Sequence, residues 1–152
     1  MRVRIDRNPR FWADVFEHPE VKPFAHPGCD LETMLEDARV TPFRTQHGGY
    51  LFLASDVIGR AYDLHAAYMP GGWGREAHGA LLGALADMFV RGAQVLTAHE
   101  VATNWKSRPP RSFGFRPAGD FAPTAFGELR TWVLTKAMFE ASPARSRLCL
   151  QP

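Results

Sequence analysis

Cysteine is nearly absent: the 152 residues include only Cys29 and Cys149. They lie far apart, with no Cys-x-x-Cys or His-x-His companions. That excludes a disulfide scaffold and a thiolate metal centre, and implies two free thiols in a reducing compartment. Long apolar runs are missing too. No stretch approaches the ~20 residues that span a bilayer, and the opening Met1-Arg-Val-Arg-Ile-Asp lacks the apolar core of a secretory leader. Charge of one sign is also lacking. Eighteen basic and 16 acidic residues are scattered along the chain and leave a net +2, which implies neither nucleic acid nor a membrane surface as partner. The expected location is cytoplasmic.

What is present suits one globular domain over residues 1–152. Hydrophobic residues make up 45% and charged residues 22%, with no repeat, low-complexity stretch or linker. The length is enough to bury a core without staples. Val3 to Ile5 reads as a short strand. Asn8-Pro9 then pairs an N-cap with proline at the first helical position. Phe11, Trp12, Val15 and Phe16 form an apolar stripe that Pro19 ends, and Asp30 caps a second short helix carrying Leu31, Met34, Leu35 and Ala38.

From Thr41 the period changes. Pro42 to Gln46, Tyr50 to Ala54 and Arg60 to Met69 read as three strands, the last showing clear alternation. Pro70-Gly71-Gly72 breaks it. A long helix follows from Gly74 to Arg91, with Ala77, Ala80, Leu81, Ala84, Leu85, Met88 and Phe89 on one face and Gly92 as its stop. Gly79 and Gly83, one turn apart, predict close packing on a sheet. Another strand begins at Ala93 and ends at Asn104, and Pro109-Pro110 bars any long helix after it. Phe113-Gly114-Phe115 leads into a strand, and Leu129 to Met138 is the last one, joined by a loose connection over residues 119–128. The fold class is α/β (α+β), with a mixed central sheet in the order β-α-α-β-β-β-α-β-(α)-β-β. Arg60 to Met69 and Gln94 to Thr103 should be parallel neighbours linked by the long helix.

The stretch Tyr68-Met-Pro-Gly-Gly-Trp-Gly-Arg-Glu-Ala-His-Gly-Ala-Leu-Leu resembles the start of the CoA-binding motif of GNAT-type N-acetyltransferases. Asn104-x-x-Ser107, then Gly114-Phe115 and the closing Gly127-Glu-Leu-Arg-Thr-Trp-Val-Leu-Thr, are similar to that superfamily's later signatures. The look is nearest to the ribosomal-protein N-terminal acetyltransferase branch and to GNAT-like proteins of tailed phages. The resemblance implies residues 1–59 as a substrate-side half, 60–140 as a CoA-binding half and 141–152 as a tail.

It also implies a site. Trp73, Gly74, Arg75, Glu76, Ala77, His78, Gly79, Asn104 and Ser107 would bind the cofactor, acetyl-CoA. Glycines feeding a helix N-terminus present unpaired amides and a positive dipole end to a pyrophosphate, and Arg75, Arg108 and Arg111 add charge. His65, then His99, and Asp63 on the face of His65, are the candidate catalytic groups, histidine having the right unperturbed pKa for a base. No metal site is expected.

Two features depart from the family pattern. Glu76 and His78 stand where it has glycine or a very small residue, and Pro110 stands where many members carry a tyrosine that protonates the departing thiolate. Arg75, Glu76 and Arg91 are expected to be exposed. A carboxylate at Glu76 should oppose a polyanion, so Glu76→Gly should tighten acetyl-CoA binding. Two functions remain open. One is an acyl-CoA-dependent N-acyltransferase acting on a small-molecule or peptide amine. The other is a catalytically degenerate GNAT-like domain serving as a structural or assembly component, in its sharpest form a phage virion protein with other virion proteins as partners. A homo-oligomer is compatible with either.

Overall fold

The computed structural model describes residues 3–24 and 30–148. His26, Cys29 and Cys149 lie outside them, so the free-thiol expectation does too. The elements are β1 (Arg4–Ile5), α1 (Pro9–Glu17), α2 (Leu31–Glu36), β2 (Val40–Arg44), β3 (Gly48–Ala54), β4 (Ala61–Tyr68), α3 (Arg75–Val90), β5 (Val95–Val101), β6 (Arg116–Pro117), β7 (Ala122–Thr124), β8 (Gly127–Thr135), α4 (Lys136–Glu140) and α5 (Pro143–Leu148), with 3-10 turns at Lys22–Phe24, Trp105–Ser107 and Arg111–Phe113. Hydrogen bonding orders the strands β1-β2-β3-β4-β5-β8-β6, and β7 also pairs with β8. Two compact units emerge: Met1–Ala54 with His65–Asp87, and Ser55–Leu64 with Met88–Pro152.

In the first unit β1, β2 and β3 form an antiparallel meander, with Ile5 opposite Phe43 and Phe43 opposite Tyr50. Both expected caps are in place. The Asn8 side chain accepts from the Arg10 amide, and the Asp30 side chain accepts from the Thr33 amide. The α1 stripe is real: Trp12 packs with Leu35, Val40 and Leu51, and Val15 packs with Val21 and Ala67. Arg7 closes the far end of α2, its guanidinium donating to the carbonyls of Leu35 (2.6 Å), Asp37 (3.2 Å) and Val40 (2.7 Å).

In the second unit β4 and β5 are parallel, from Ala61 opposite Val95 to Leu64 opposite Ala98, as the sequence pattern predicts for strands joined by α3. β8 runs antiparallel to β5 over its whole length, Val95 facing Thr135 and Val101 facing Leu129. β8 also carries β6 and β7. The connection read as loose over residues 119–128 is ordered at its end. Thr124 turns the chain tightly, accepting from the Phe126 amide, and Gly127 follows at φ 102°.

Three further expectations fail. The last strand stops at Thr135 and not at Met138, because the Thr135 side chain accepts from the Met138 amide and starts α4 there. An apolar run through Phe139 hides that cap from a periodicity reading. Gly79 is exposed with open space where a side chain would go, so it does not mark close packing, whereas a Cβ on Gly83 would lie 3.1 Å from Val3. Glu76 is not exposed, its side chain being 11% accessible.

The phase of α3 is as expected. Leu81, Leu85, Met88, Phe89 and Leu64 are buried, Val95 is half-buried, and Arg75 and Arg91 are exposed. Phe89 stacks on Phe139 at 5.2 Å in the second unit. Leu85 is fully buried, so Leu85→Ala should lower unfolding stability by about 2–5 kcal/mol in urea denaturation, while the half-buried Leu82 should cost clearly less on the same change.

Candidate active site

Gly71 (φ 90°) and Gly74 (φ 94°) take left-handed conformations that turn the chain from β4 into α3. The Gly72 amide donates to the Met69 carbonyl, the Ala77 amide to Gly72 and the His78 amide to Gly74. The amides of Arg75 and Glu76, in the first helical turn, have no intrahelical acceptor by position. Trp73 is half-buried, its ring 5.4 Å from that of Tyr68. Tyr68 in turn meets Tyr50 edge-on at 5.4 Å. Tyr50 donates from its hydroxyl to the Ala77 carbonyl at 3.0 Å, which ties β3 to the same first turn. His78 and Gly79 are exposed.

The carboxylate of Glu76 does not face outward from the helix end. Its Oε2 accepts from the Thr45 hydroxyl at 2.8 Å and from the His47 amide at 2.9 Å, and its Oε1 lies 2.8 Å from His47 Nδ1. Burial pushes this carboxyl up, but the hydrogen bonds from His47 and Thr45 outweigh it and hold Glu76 below the usual glutamate value. Tyr68 Oη is 3.2 Å from Thr45 Oγ1. Burial drives that phenol up to about 12, the Thr45 bond opposing and the Glu76 charge reinforcing the shift. Burial also raises Tyr50 well above an ordinary phenol.

This removes the premise that Glu76 stands exposed at the helix end. Its negative charge is drawn off by three donors of the β2–β3 turn, so Glu76→Gly would strip that turn of its anchor. Thr45 and His47 were not foreseen in this role. No sequence spacing signals a turn that meets a helix about 30 positions later.

In the second unit Asp63 accepts from the Thr97 hydroxyl, its register partner on β5. His99, two residues beyond Thr97 on the same strand face, has Nδ1 3.4 Å from Thr131 Oγ1. His65 is half-buried on β4 and, by strand alternation, on the face of Asp63. Asn104 and Ser107 shape the turn after β5. Asn104 Oδ1 accepts from the Lys106 amide at 3.2 Å, and Ser107 Oγ accepts from the Val101 amide at 2.7 Å and donates to the Asn104 carbonyl at 2.6 Å. Both side chains are engaged with the backbone of their own loop. Gly114 sits at φ 101°, where a Cβ would come within 2.6 Å of the Met138 carbonyl, and Phe115 is fully buried. The Gly-Phe pair is therefore a packing signature.

Arg108 and Arg111 are engaged as well. Glu100, 2% exposed on β5, receives Arg108 Nε on Oε2 at 2.7 Å. Its Oε1 receives Arg130 Nη2 at 2.8 Å and Trp132 Nε1 at 3.0 Å. Arg111 lies over the Trp132 ring at 4.9 Å. Pro110 precedes the third 3-10 turn and has no side-chain proton to give. The sequence reading passed over Glu100 because its three partners lie 8 to 32 positions away.

No protein-family model matches the chain, and no curated protein matches it. Solved structures do. Spermidine N-acetyltransferase from Vibrio cholerae, in complex with CoA and spermine, is similar with a TM-score of 0.70 at 14% identity, over 91% of this chain and 96% of its own. Mycobacterium smegmatis RimJ in complex with CoA-disulfide gives 0.70 at 15%, over 97% of this chain and 88% of its own. Aminoglycoside 6'-acetyltransferase type Ii gives 0.66 at 13%, over 89% and 97%. At these identities the likeness establishes the fold, and the fold is that of the GNAT acetyltransferases.

The Glu100 cluster gives a pH prediction. Burial raises this carboxyl, and the bonds from Arg108, Arg130 and Trp132 overcome it, leaving Glu100 below the ordinary value. A depressed folded value stabilises the fold above the unfolded carboxylate pKa of ~4.3 and is lost as pH falls through the folded value. Glu100→Ala should cost about 2–3 kcal/mol at pH 7, less than a fully buried pair because Arg108 reaches solvent. In denaturant titrations from pH 7 to 3 the loss of stability below pH ~4.3 should be shallower in the variant than in wild type.

Proposed function

We propose that this chain is an acyl-CoA-dependent N-acyltransferase that moves an acetyl group from acetyl-CoA to a small-molecule or peptide amine. The observation that carries the reading is the fold shared with acetyltransferases over nearly the whole chain, two of them in complexes containing CoA or its disulfide. In support, the segment that resembles the family's CoA motif folds as a left-handed glycine turn into α3. There Gly74 and the amides of Arg75 and Glu76 would receive the pyrophosphate, and the exposed Arg75 would add a positive charge. Asn104 and Ser107 would act through the shape of their loop, since their side chains hold backbone groups.

The reaction needs few parts. The amine attacks the thioester carbonyl, a base takes its proton, backbone amides of β4 stabilise the oxyanion, and the CoA thiolate leaves. His65 is the first choice of base and His99, with Asp63 on the neighbouring strand, the second. The glutamates at hand are both poor bases, being held below their ordinary pKa by several donors. Pro110 offers no acid, so the thiolate departs unprotonated or takes its proton from water.

Spermine and aminoglycoside acceptors belong to the neighbours named above. A small polyamine-like or amino-sugar amine is the first class to try here.

The experiment is a thermal-shift titration with acetyl-CoA followed by acetyl transfer to a panel of amines. Saturation at about 100 times the dissociation constant should stabilise by about 2.7 kcal/mol. His65→Ala should lower kcat by about 10²–10⁴-fold with binding retained if it is the base, and His99→Ala carries that loss instead if His99 is. Absence of any shift at millimolar acetyl-CoA would remove this reading and return the assembly-component alternative. Binding without transfer to any amine would leave a ligand-holding domain, which the missing tyrosine at Pro110 would explain.

A further inference from the structure

The following assignment rests on the acyltransferase reading above and extends it to a residue outside the family-like motif. We propose that His47 is a binding residue for the cofactor's pyrophosphate and that Glu76 is the positioning residue that aims it.

The place is right. A Cβ built on Gly72 would lie 2.8 Å from His47 Cβ, and one built on Gly71 would lie 4.0 Å from His47 Nε2. The imidazole therefore lies along the glycine backbone of the loop, with Nε2 at Gly71. The Met69 amide donates to the His47 carbonyl at 2.8 Å, so the entry to the loop hangs from the same residue.

The orientation is set by Glu76. An ionised carboxylate accepts and cannot donate, so the 2.8 Å contact between its Oε1 and Nδ1 requires the proton on Nδ1. Nε2 is then a lone pair on the neutral ring and an N–H donor on the imidazolium. Oε2 is occupied by the His47 amide and the Thr45 hydroxyl, which leaves the carboxylate little freedom to turn toward a ligand. The pair behaves as a carboxylate that steadies a histidine, and the histidine presents its other nitrogen to the loop.

The charges agree. Glu76 in the first turn of α3 would repel a pyrophosphate if it stood alone. With a protonated His47 the pair is neutral, and its positive edge is the one nearer Gly71. Among the described residues, Glu76 from α3 bonds His47 directly, and Tyr68 from β4, whose phenol at about 12 stays uncharged near neutral pH, is linked to the same carboxylate through Thr45. Arg75, exposed beside Glu76 on α3, adds positive charge at the same helix end. On the imidazolium, Nε2 can make a charge-assisted contact to a phosphate oxygen.

Asparagine and glutamine separate the two ring nitrogens. His47→Asn keeps a donor where Nδ1 stands and deletes the Nε2 edge. His47→Gln keeps a donor near Nε2 and gives up the Glu76 bond. Calorimetric affinities for CoA and for dephospho-CoA, which retains the pyrophosphate, should be measured for wild type, His47→Asn, His47→Gln, Glu76→Gln and the His47→Asn/Glu76→Gln double variant, with melting temperatures alongside.

The expected result is about tenfold weaker binding of both ligands to His47→Asn at an unchanged melting temperature. A similar loss is expected in Glu76→Gln, with no further loss in the double variant.

Wild-type affinity in His47→Asn would overturn the assignment and reduce the clamp to a structural role. A loss seen with CoA and not with dephospho-CoA would overturn it in favour of a contact to the 3′-phosphate. Glutamine rescue of binding in the absence of the Glu76 bond would overturn the positioning role of Glu76. A wild type that binds neither ligand would refute the acyltransferase reading itself, and this assignment with it.

Discussion

The first unit is organised around one carboxylate placed where a helix begins. A negative group in the first turn of α3 is favourable to the helix dipole, but at 11% side-chain exposure it needs partners, and the β2–β3 turn supplies all of them. The consequence spreads outward. Tyr68 is bonded to the same Thr45, Tyr50 holds the Ala77 carbonyl, and the His47 carbonyl takes the Met69 amide. Gly72 completes the set, because any side chain there would collide with Tyr68 and His47 and press on Glu76 Oε2. The glycine loop, the turn and the helix start are thus one hydrogen-bonded object.

The second unit meets a similar problem with different chemistry. Glu100 is more deeply buried than Glu76 and is answered by two guanidiniums and an indole, with Arg130 also lying 4.8 Å over Phe121. This network fastens the residues after β5 to β8, so the Asn104–Ser107 turn and the Arg108–Phe113 segment are held at both ends. Both glutamates are held below the ordinary carboxyl value by their donors.

Much of the fold was legible because it is written locally. Asn8 and Asp30 act as caps where a cap residue precedes an apolar stripe, and α3 shows its core face through Leu81, Leu85 and Met88. The parallel β4–β5 pair follows from a strand, a long helix and another strand in succession. What escaped was written elsewhere. The α4 start depends on one Thr135 hydroxyl inside an apolar run, and β7 is three exposed residues, Ala-Pro-Thr, with no alternation to read. The glycine turn and the helix start were legible, and the surroundings of the Glu76 side chain were not. Glu76 seemed to point at a ligand because its partners lie 29 and 31 positions earlier, and Glu100 seemed unremarkable for the same reason. Asn104 and Ser107 occupy family-like positions, yet each bonds its own loop, a distinction that spacing alone does not carry.

The Arg7 guanidinium bears on the order of events in folding. α2 has six residues, too few to persist alone in water, and the carbonyls of Leu35 and of its C-cap Asp37 are held by a side chain 28 and 30 positions away. By that dependence α2 is expected to complete after the chain segment bearing Arg7 docks beside β2, despite its good local cap at Asp30. The same dependence makes the far end of α2 answer to changes made at residue 7, on a stretch of backbone that never touches the helix in sequence.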